Sequence, residues 1–162
     1  MADRFIVINP EGLKLPSSDP MRVDGGQNDF VGLFDDTTSQ SGRVKFRNPD
    51  DYIGTPVLIL QFDPNDTQTG TLTVKWDISV MKVTPNTGVN RKVDNFDTAN
   101  TGTKTLDLNQ GTGELVELSI SLTNFASAVA GDQLTFQIAL NVSGTATGDT
   151  ELSTITYKYS NT

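Results

Sequence analysis

Residues Gly70 to Val80 read GTLTVKWDISV, and they alternate. Leu72, Val74, Trp76, Ile78 and Val80 fall on one side, while threonine, lysine, aspartate and serine fall on the other. That two-residue period belongs to a strand with one buried face; wound into a helix, the same residues would scatter their apolar set. A strand of this kind needs a second layer to cover it, so the chain is expected to stack sheets.

The same signature recurs along the chain. Gly42 to Phe46 places Val44 and Phe46 on one face. PVLILQF, Pro56 to Phe62, is apolar on both faces and so is expected inside a sheet. Thr103 to Leu108 is short and polar, an edge candidate. Glu114 to Leu122 turns Val116, Leu118, Ile120 and Leu122 inward. Gln133 to Val142 does the same with Leu134, Phe136, Ile138, Leu140 and Val142. Leu152 to Tyr159 closes the series with Ile155, Tyr157 and Tyr159 on one face. Turn clusters (DPNDTQTG, TPNTG, NQGTG, SGTATGD) separate these runs. Only LTNFASAVAGD, Leu122 to Asp132, departs from the pattern: Phe125, Ala128 and Val129 sit at helical spacing with Gly131 as a stop, which predicts a single helical turn. About eight antiparallel strands must pair or close to remove their edges, and a two-sheet sandwich of jelly-roll type fits their lengths.

The first 40 residues read differently. Apolar side chains (Phe5, Ile6, Val7, Ile8, Leu13, Leu15, Met21, Val23) are interrupted by Pro10, Pro16, Pro20 and Gly25-Gly26. Proline at that density forbids a helix and allows short edge strands. The expected organisation is an arm over residues 1–40, packing on the body or on a neighbour, followed by a sandwich domain over residues 41–162. At 162 residues and 17.5 kDa the chain has the size of one domain with its own core.

Composition restricts the chemistry. The chain has no histidine and no cysteine. That removes Ser-His-Asp and Cys-His pairs, disulfides and ordinary zinc or copper sites. The expectation is a protein that is not an enzyme and uses no cofactor and no resident metal, with a weak calcium site at a loop, not of EF-hand type, left open. Carboxylates occur in turn pairs (Asp35-Asp36, Asp50-Asp51, Asp63 with Asp66, Asp94 with Asp97), where aspartate commonly accepts from local backbone amides. DPNDTQTG fails as an EF-hand loop because the twelfth position from Asp63 is Val74 rather than glutamate. Asn65-Asp66-Thr67 and Asn141-Val142-Ser143 match the glycosylation pattern, but no export signal accompanies them. The net charge of −8 and absence of basic runs exclude nucleic acid as an expected partner. MADRFIVINPEG lacks the apolar run of a signal peptide, and no segment approaches the ~18 apolar residues of a membrane span, so no membrane partner is expected. Trp76 reads as core. Tyr157 and Tyr159 share a face near the C-terminus and suit a core or an interface equally.

The order of the pieces carries a resemblance. MADRF opens the arm, then come VKFRNPDDYIGTPVLILQF, GTLTVKWDISVMKV, a late FASAVAGDQLTFQIAL and a closing TITYKYS. Over about residues 40 to 160 this resembles the single-domain jelly-roll virion proteins of tailed bacteriophages, which include trimeric head decoration (cement) proteins and similar domains at fibre tips. The resemblance implies a homotrimer bound to the major capsid protein on the capsid exterior and assembled in the host cytoplasm. In that setting Phe5, Val7, Ile8, Leu13, Leu15 and Met21 of the arm, with Tyr157 and Tyr159, become the assembly contacts. The alternative is a fibre or tail domain that binds a receptor or glycan, which calls for aromatic residues on loops; Phe96 in VDNFDTAN is the main one.

Overall fold

The computed structural model describes residues 2–10, 13–14, 22–25, 30–64, 66–88, 95–107 and 113–161, with 22–25, 30 and 31 as backbone. Among the described residues there are ten strands: β1 (Asp3–Ile8), β2 (Arg22–Gly25), β3 (Phe30–Phe34), β4 (Ser41–Arg47), β5 (Tyr52–Pro64), β6 (Thr73–Val83), β7 (Asn100–Thr105), β8 (Val116–Ser121), β9 (Gln133–Leu140) and β10 (Thr150–Asn161). They form two antiparallel sheets. One runs β2-β3-β10-β5-β8 with β1 also on β10, and the other runs β4-β9-β6-β7. This is the expected antiparallel sandwich of jelly-roll type.

The alternation read from the sequence sets the faces. Val74, Trp76, Ile78 and Val80 of β6 are buried and meet Leu58, Leu60 and Phe62 of β5 in one core. As expected, β5 lies inside its sheet, between β10 and β8, and β7 is an edge. Trp76 has no exposed surface and packs edge-on against Phe34 at 4.9 Å and at a tilt against Phe62 at 5.6 Å. A fully buried side chain of this kind contributes about 1.5–3 kcal/mol or more through area removed from water. Leu152 and Ile155 both face inward although three residues apart, because a bulge between Leu152 and Thr154 inserts the extra residue.

Three expectations are corrected. The segment after β8 makes successive turns rather than a helical turn. Ala128 N–H donates to Phe125 O at 2.9 Å and Asp132 N–H to Val129 O at 3.3 Å, with Ala126 and Ser127 both at positive φ. The chain passes here from one sheet to the other, and a helix would not reverse it tightly enough. Val142, expected inward at the end of β9, is exposed in a turn. Thirdly, β3 is not an edge strand: it lies between β2 and β10, since FVGLF carries no proline to block a second neighbour.

Candidate functional site

The outward face of the β4-β9-β6-β7 sheet concentrates planar polar side chains. Cross-strand register puts Arg43, Gln137 and Ser79 in one row and Ser41, Ala139 and Asp77 in the next, with Thr101 of β7 opposite Asp77. Arg43 Nε donates to Gln137 Oε1 at 2.9 Å, which fixes the guanidinium across two strands. Asn141 Nδ2 donates to Asp77 Oδ2 at 2.8 Å, and Thr101 Oγ1 donates to the other carboxylate oxygen. Such pairs hold flat donor and acceptor edges in a fixed orientation.

Residues 95–99 cross this face as a loop. Asp97 N–H donates to Val80 O at 2.8 Å, continuing the edge of β6, and Asp97 Oδ2 accepts from Ala126 N–H at 2.9 Å. Asn95 N–H approaches Met81 Sδ at 3.5 Å. Met81 and Thr135 point outward yet are buried, so this part of the sheet is roofed. The loop sets the Phe96 ring against Arg43, with the guanidinium carbon 4.9 Å from the ring centroid. Phe96 remains half-buried, an aromatic ring at the border of an open polar platform.

Two other places merit comparison. A groove of about 380 Å³ follows the seam between the edge strands β7 and β8, lined by Thr101, Thr103, Ser119, Ser121, Thr123 and Asn124. Its Asn100 is committed to structure: Nδ2 donates to Ile78 O and Asn124 O, and Oδ1 accepts from Asn124 N–H. Among the described residues no ring and no charged side chain lines it. Asp35, Asp36 and Asp149 bring one carboxylate oxygen each within 4.8 Å of the others, and of the described residues these could hold a hard cation. Their oxygens also fasten loops. Asp35 Oδ1 accepts from Thr37 and Thr38 N–H, and Asp36 Oδ2 from Gly148 N–H at 2.8 Å. Of the other aspartates read as turn residues, Asp50 pairs with Arg47 at 2.6 Å and Asp51 accepts from Tyr159. Asp63 is instead buried at the end of β5, where desolvation raises its carboxyl above the usual range against a backbone bond from Gly113. Asp94 lies outside the described residues.

The residues expected as assembly contacts divide. Phe5 and Val7 project outward from β1, 58% and 64% exposed. Ile8 and Leu13 are buried in their own sandwich, because β1 pairs with β10 and a bridge from Lys14 to Arg43 draws the following chain onto the other sheet. Tyr157 and Tyr159 are likewise core residues, with hydroxyls bonded to Asn48 at 2.9 Å and Asp51 at 3.2 Å. For these four the structure corrects the expectation: their apolar surface is already covered by their own chain. Leu15 and Met21 lie outside the described residues. Sequence reading singled out Phe96 but missed Arg43, Gln137, Asp77 and Asn141. Their only signal was a position on the polar side of a strand, which every solvated strand face shares.

No family model and no curated protein matches the chain. Solved structures do. The chain is similar to the carbohydrate-binding module CBM35 from Cellvibrio japonicus Abf62, at a TM-score of 0.53 and 8% identity over 98% of this chain and 95% of that one. It is also similar to Caldicellulosiruptor saccharolyticus CBM27-1, solved in complex with mannohexaose, at 0.47 and 11% over 94% and 96%. A third is CBM28, described as specific for non-crystalline cellulose, at 0.47 and 9% over 90% and 86%. At such identities the likeness is one of fold, and the fold is the β-sandwich of jelly-roll type.

Proposed function

We propose that the chain is a non-catalytic glycan-binding domain whose binding surface is the outward face of the β4-β9-β6-β7 sheet. The observation that carries this is Phe96, held by its loop against Arg43 at the border of a platform of oriented planar polar groups. A sugar ring offers an apolar C–H face and an equatorial fringe of hydroxyls. An aromatic ring takes the first, and fixed guanidinium, carboxamide and carboxylate edges take the second. Each neutral hydrogen bond nets about 0.5–1.5 kcal/mol and a ring contact a similar amount, so a few of each place the affinity at about millimolar to micromolar. The fold likeness to a carbohydrate-binding module supports the reading. The lack of histidine and cysteine agrees with binding rather than chemistry.

Affinity electrophoresis and titration calorimetry against a panel of plant and microbial polysaccharides test it. Wild type should bind at least one glycan, and Phe96→Ala and Arg43→Ala should each weaken binding about tenfold, the worth of about 1.4 kcal/mol, with an unchanged far-UV spectrum. No binding across the panel, or full binding by both variants, would remove this face from consideration.

A second reading has its own observation. Phe5 and Val7 stand exposed on β1, and register across Lys158 and Thr156 of β10 aligns them with the half-buried Val57 and Ile59 of β5, so that apolar side chains flank a polar row on the outer face of the other sheet. On this reading they join copies into the homotrimer of a phage virion protein, either a decoration protein on capsid or a fibre domain that presents the glycan face. Light scattering of wild type against Phe5→Ser/Val7→Ser checks it: a wild-type trimer that the double variant dissolves is expected, and a wild-type monomer rules the trimer out.

A further inference from the structure

The two outermost strands of the β4-β9-β6-β7 sheet end it differently. Sheets usually blunt an open edge with charged side chains, proline or a covering segment. β4 has such protection: Lys14 bridges Arg43 from outside, and the strand carries Arg43, Lys45 and Arg47. β7 reads NTGTKT, with neither proline nor carboxylate, and among the described residues its only strand partner is β6. Its one charge, Lys104, is half-buried on the inward side.

Backbone parity determines what this edge offers. Leu106 N–H donates to Leu72 O at 2.8 Å, one step beyond the Thr73–Thr105 pair. On the other side of β6, Asn141 N–H donates to Lys75 O at 2.9 Å. Even-numbered residues of β6 therefore bond to β7, and odd-numbered ones to β9. It follows that Thr101, Thr103 and Thr105 turn N–H and C=O away from the sheet, and all three residues are exposed. The groove of about 380 Å³ beside Thr101 and Thr103 shows that β8 does not close over this edge.

A row of donors and acceptors at strand spacing is matched by another extended backbone. We infer that the occupant is β7 of a second copy, paired antiparallel about a two-fold axis through Thr103. This register uses every outward group of the strand: Thr103 faces its own mate, and Thr101 faces the partner subunit's Thr105. On the outward side threonine meets threonine, a favourable cross-strand pair. On the inward side Lys104 stands opposite the partner subunit's Gly102, so no like charges meet. For a chain of net charge −8, an edge without carboxylates is where two copies approach with least repulsion. β8 fits less well, because Ser121 O already accepts from Thr123 N–H at 3.1 Å and Glu117 is among its outward residues. The dimer joins two four-stranded sheets into one continuous platform, and it stands whether or not that face binds glycan.

Paired edges of this length bury little surface, so the dimer should form at about 0.1–1 mM chain and dissociate at about 1 µM. Sedimentation velocity of the full chain over that range should show the mass rise from 17.5 kDa to about twice that value. Thr103→Pro removes an outward N–H, which an edge strand tolerates, and Thr103→Lys sets two cations face to face. Each should weaken the dimer at least about tenfold, while Ser119→Pro on β8 should leave it unchanged. The chain has no cysteine, so a single introduced one reports only contacts between copies. Facing residues of a hydrogen-bonded pair lie about 5.5 Å apart, within disulfide reach. Thr103→Cys should therefore cross-link to a dimer, with oxidised glutathione taking up the two electrons and two protons. Thr101→Cys and Thr105→Cys should each stay uncrosslinked alone, since the same position in the two copies is then about 13–14 Å apart, and should cross-link when mixed. A chain monomeric at about 1 mM, a dimer that survives both Thr103 variants, or Thr101→Cys cross-linking alone as fast as Thr103→Cys would each overturn the inference. The series is repeated in Phe5→Ser/Val7→Ser, and a wild-type dimer that is lost in that background would overturn it too.

Discussion

Tyr157 shows how far one residue's role depends on what the fold brings to it. Its ring is fully buried among Phe46, Phe125, Phe136 and Tyr159, and its hydroxyl donates to Asn48 Oδ1 at 2.9 Å. Asn48 in turn donates from Nδ2 to Val129 O at 2.9 Å and is itself wholly buried. Removing the hydroxyl leaves a buried carboxamide oxygen without its donor, so Tyr157→Phe should lose about 1–3 kcal/mol in urea denaturation. A loss under about 0.5 kcal/mol would mean that another donor replaces it. Trp76 makes the contrast. Its place on an alternating strand assigned it to the core from sequence alone, and its indole N–H finds no acceptor among the described residues. Packing volume holds it there, against the usual rule that a buried polar group is paired.

Among the elements, β10 organises one sheet. It pairs with β5 along nearly its whole length, and on its other side with β3 at Thr150–Leu152 and then β1 at Ile155–Ser160. The strands from β4 to β10 were legible in the sequence because their period is local and their turns are marked, whereas β1, β2 and β3 lie in the segment read as an arm. The crossing from β8 to β9 was not legible either. Phe125 and Ala128 are both buried three residues apart, a spacing that a helical turn and a tight β-turn share. Tertiary anchors decided between them: Asn48 N–H donates to Asp132 O at 2.7 Å, and Gly131 N–H to Asn48 O at 3.0 Å. The 95–99 loop depends on a similar anchor in Asp97, whose carboxylate ties it to Ala126. Asp97→Ala should free Phe96 from its position over Arg43 and weaken glycan binding about three- to tenfold, at a cost in stability of about 1 kcal/mol. Calorimetry alongside a urea melt separates the two effects. Unchanged affinity would show that the ring does not need its tether.

For the whole molecule, the buried Tyr157 and the half-buried Tyr52 set a limit on the alkaline side. Desolvation raises the phenols of Tyr157 and Tyr52 above the ordinary 10.0, and for Tyr157 the negative charges of Tyr52 and Tyr159 would add to it. The unfolded chain titrates near 10.0 while the folded one resists, so their contribution is intact below pH 10 and is lost as pH rises towards the folded values. Urea midpoints should hold steady to about pH 9.5 and fall by pH 11, and more shallowly in Tyr157→Phe. An equal fall in both would assign the alkaline loss to other groups.

The sequence by itself determined the fold class, the inward faces of β4, β6, β8 and β9 and the core position of Trp76. Each of these follows from alternation between near neighbours and the cost of leaving apolar area in water. Only the tertiary structure decided that Ile8, Leu13, Tyr157 and Tyr159 are interior, and that Phe96, Arg43 and Gln137 meet on one face. Strand pairing joins residues far apart in the chain, as Lys14 joins Arg43 and Arg43 joins Gln137. No local period encodes which strands become neighbours; the burial and hydrogen bonding of two complete sheets select it.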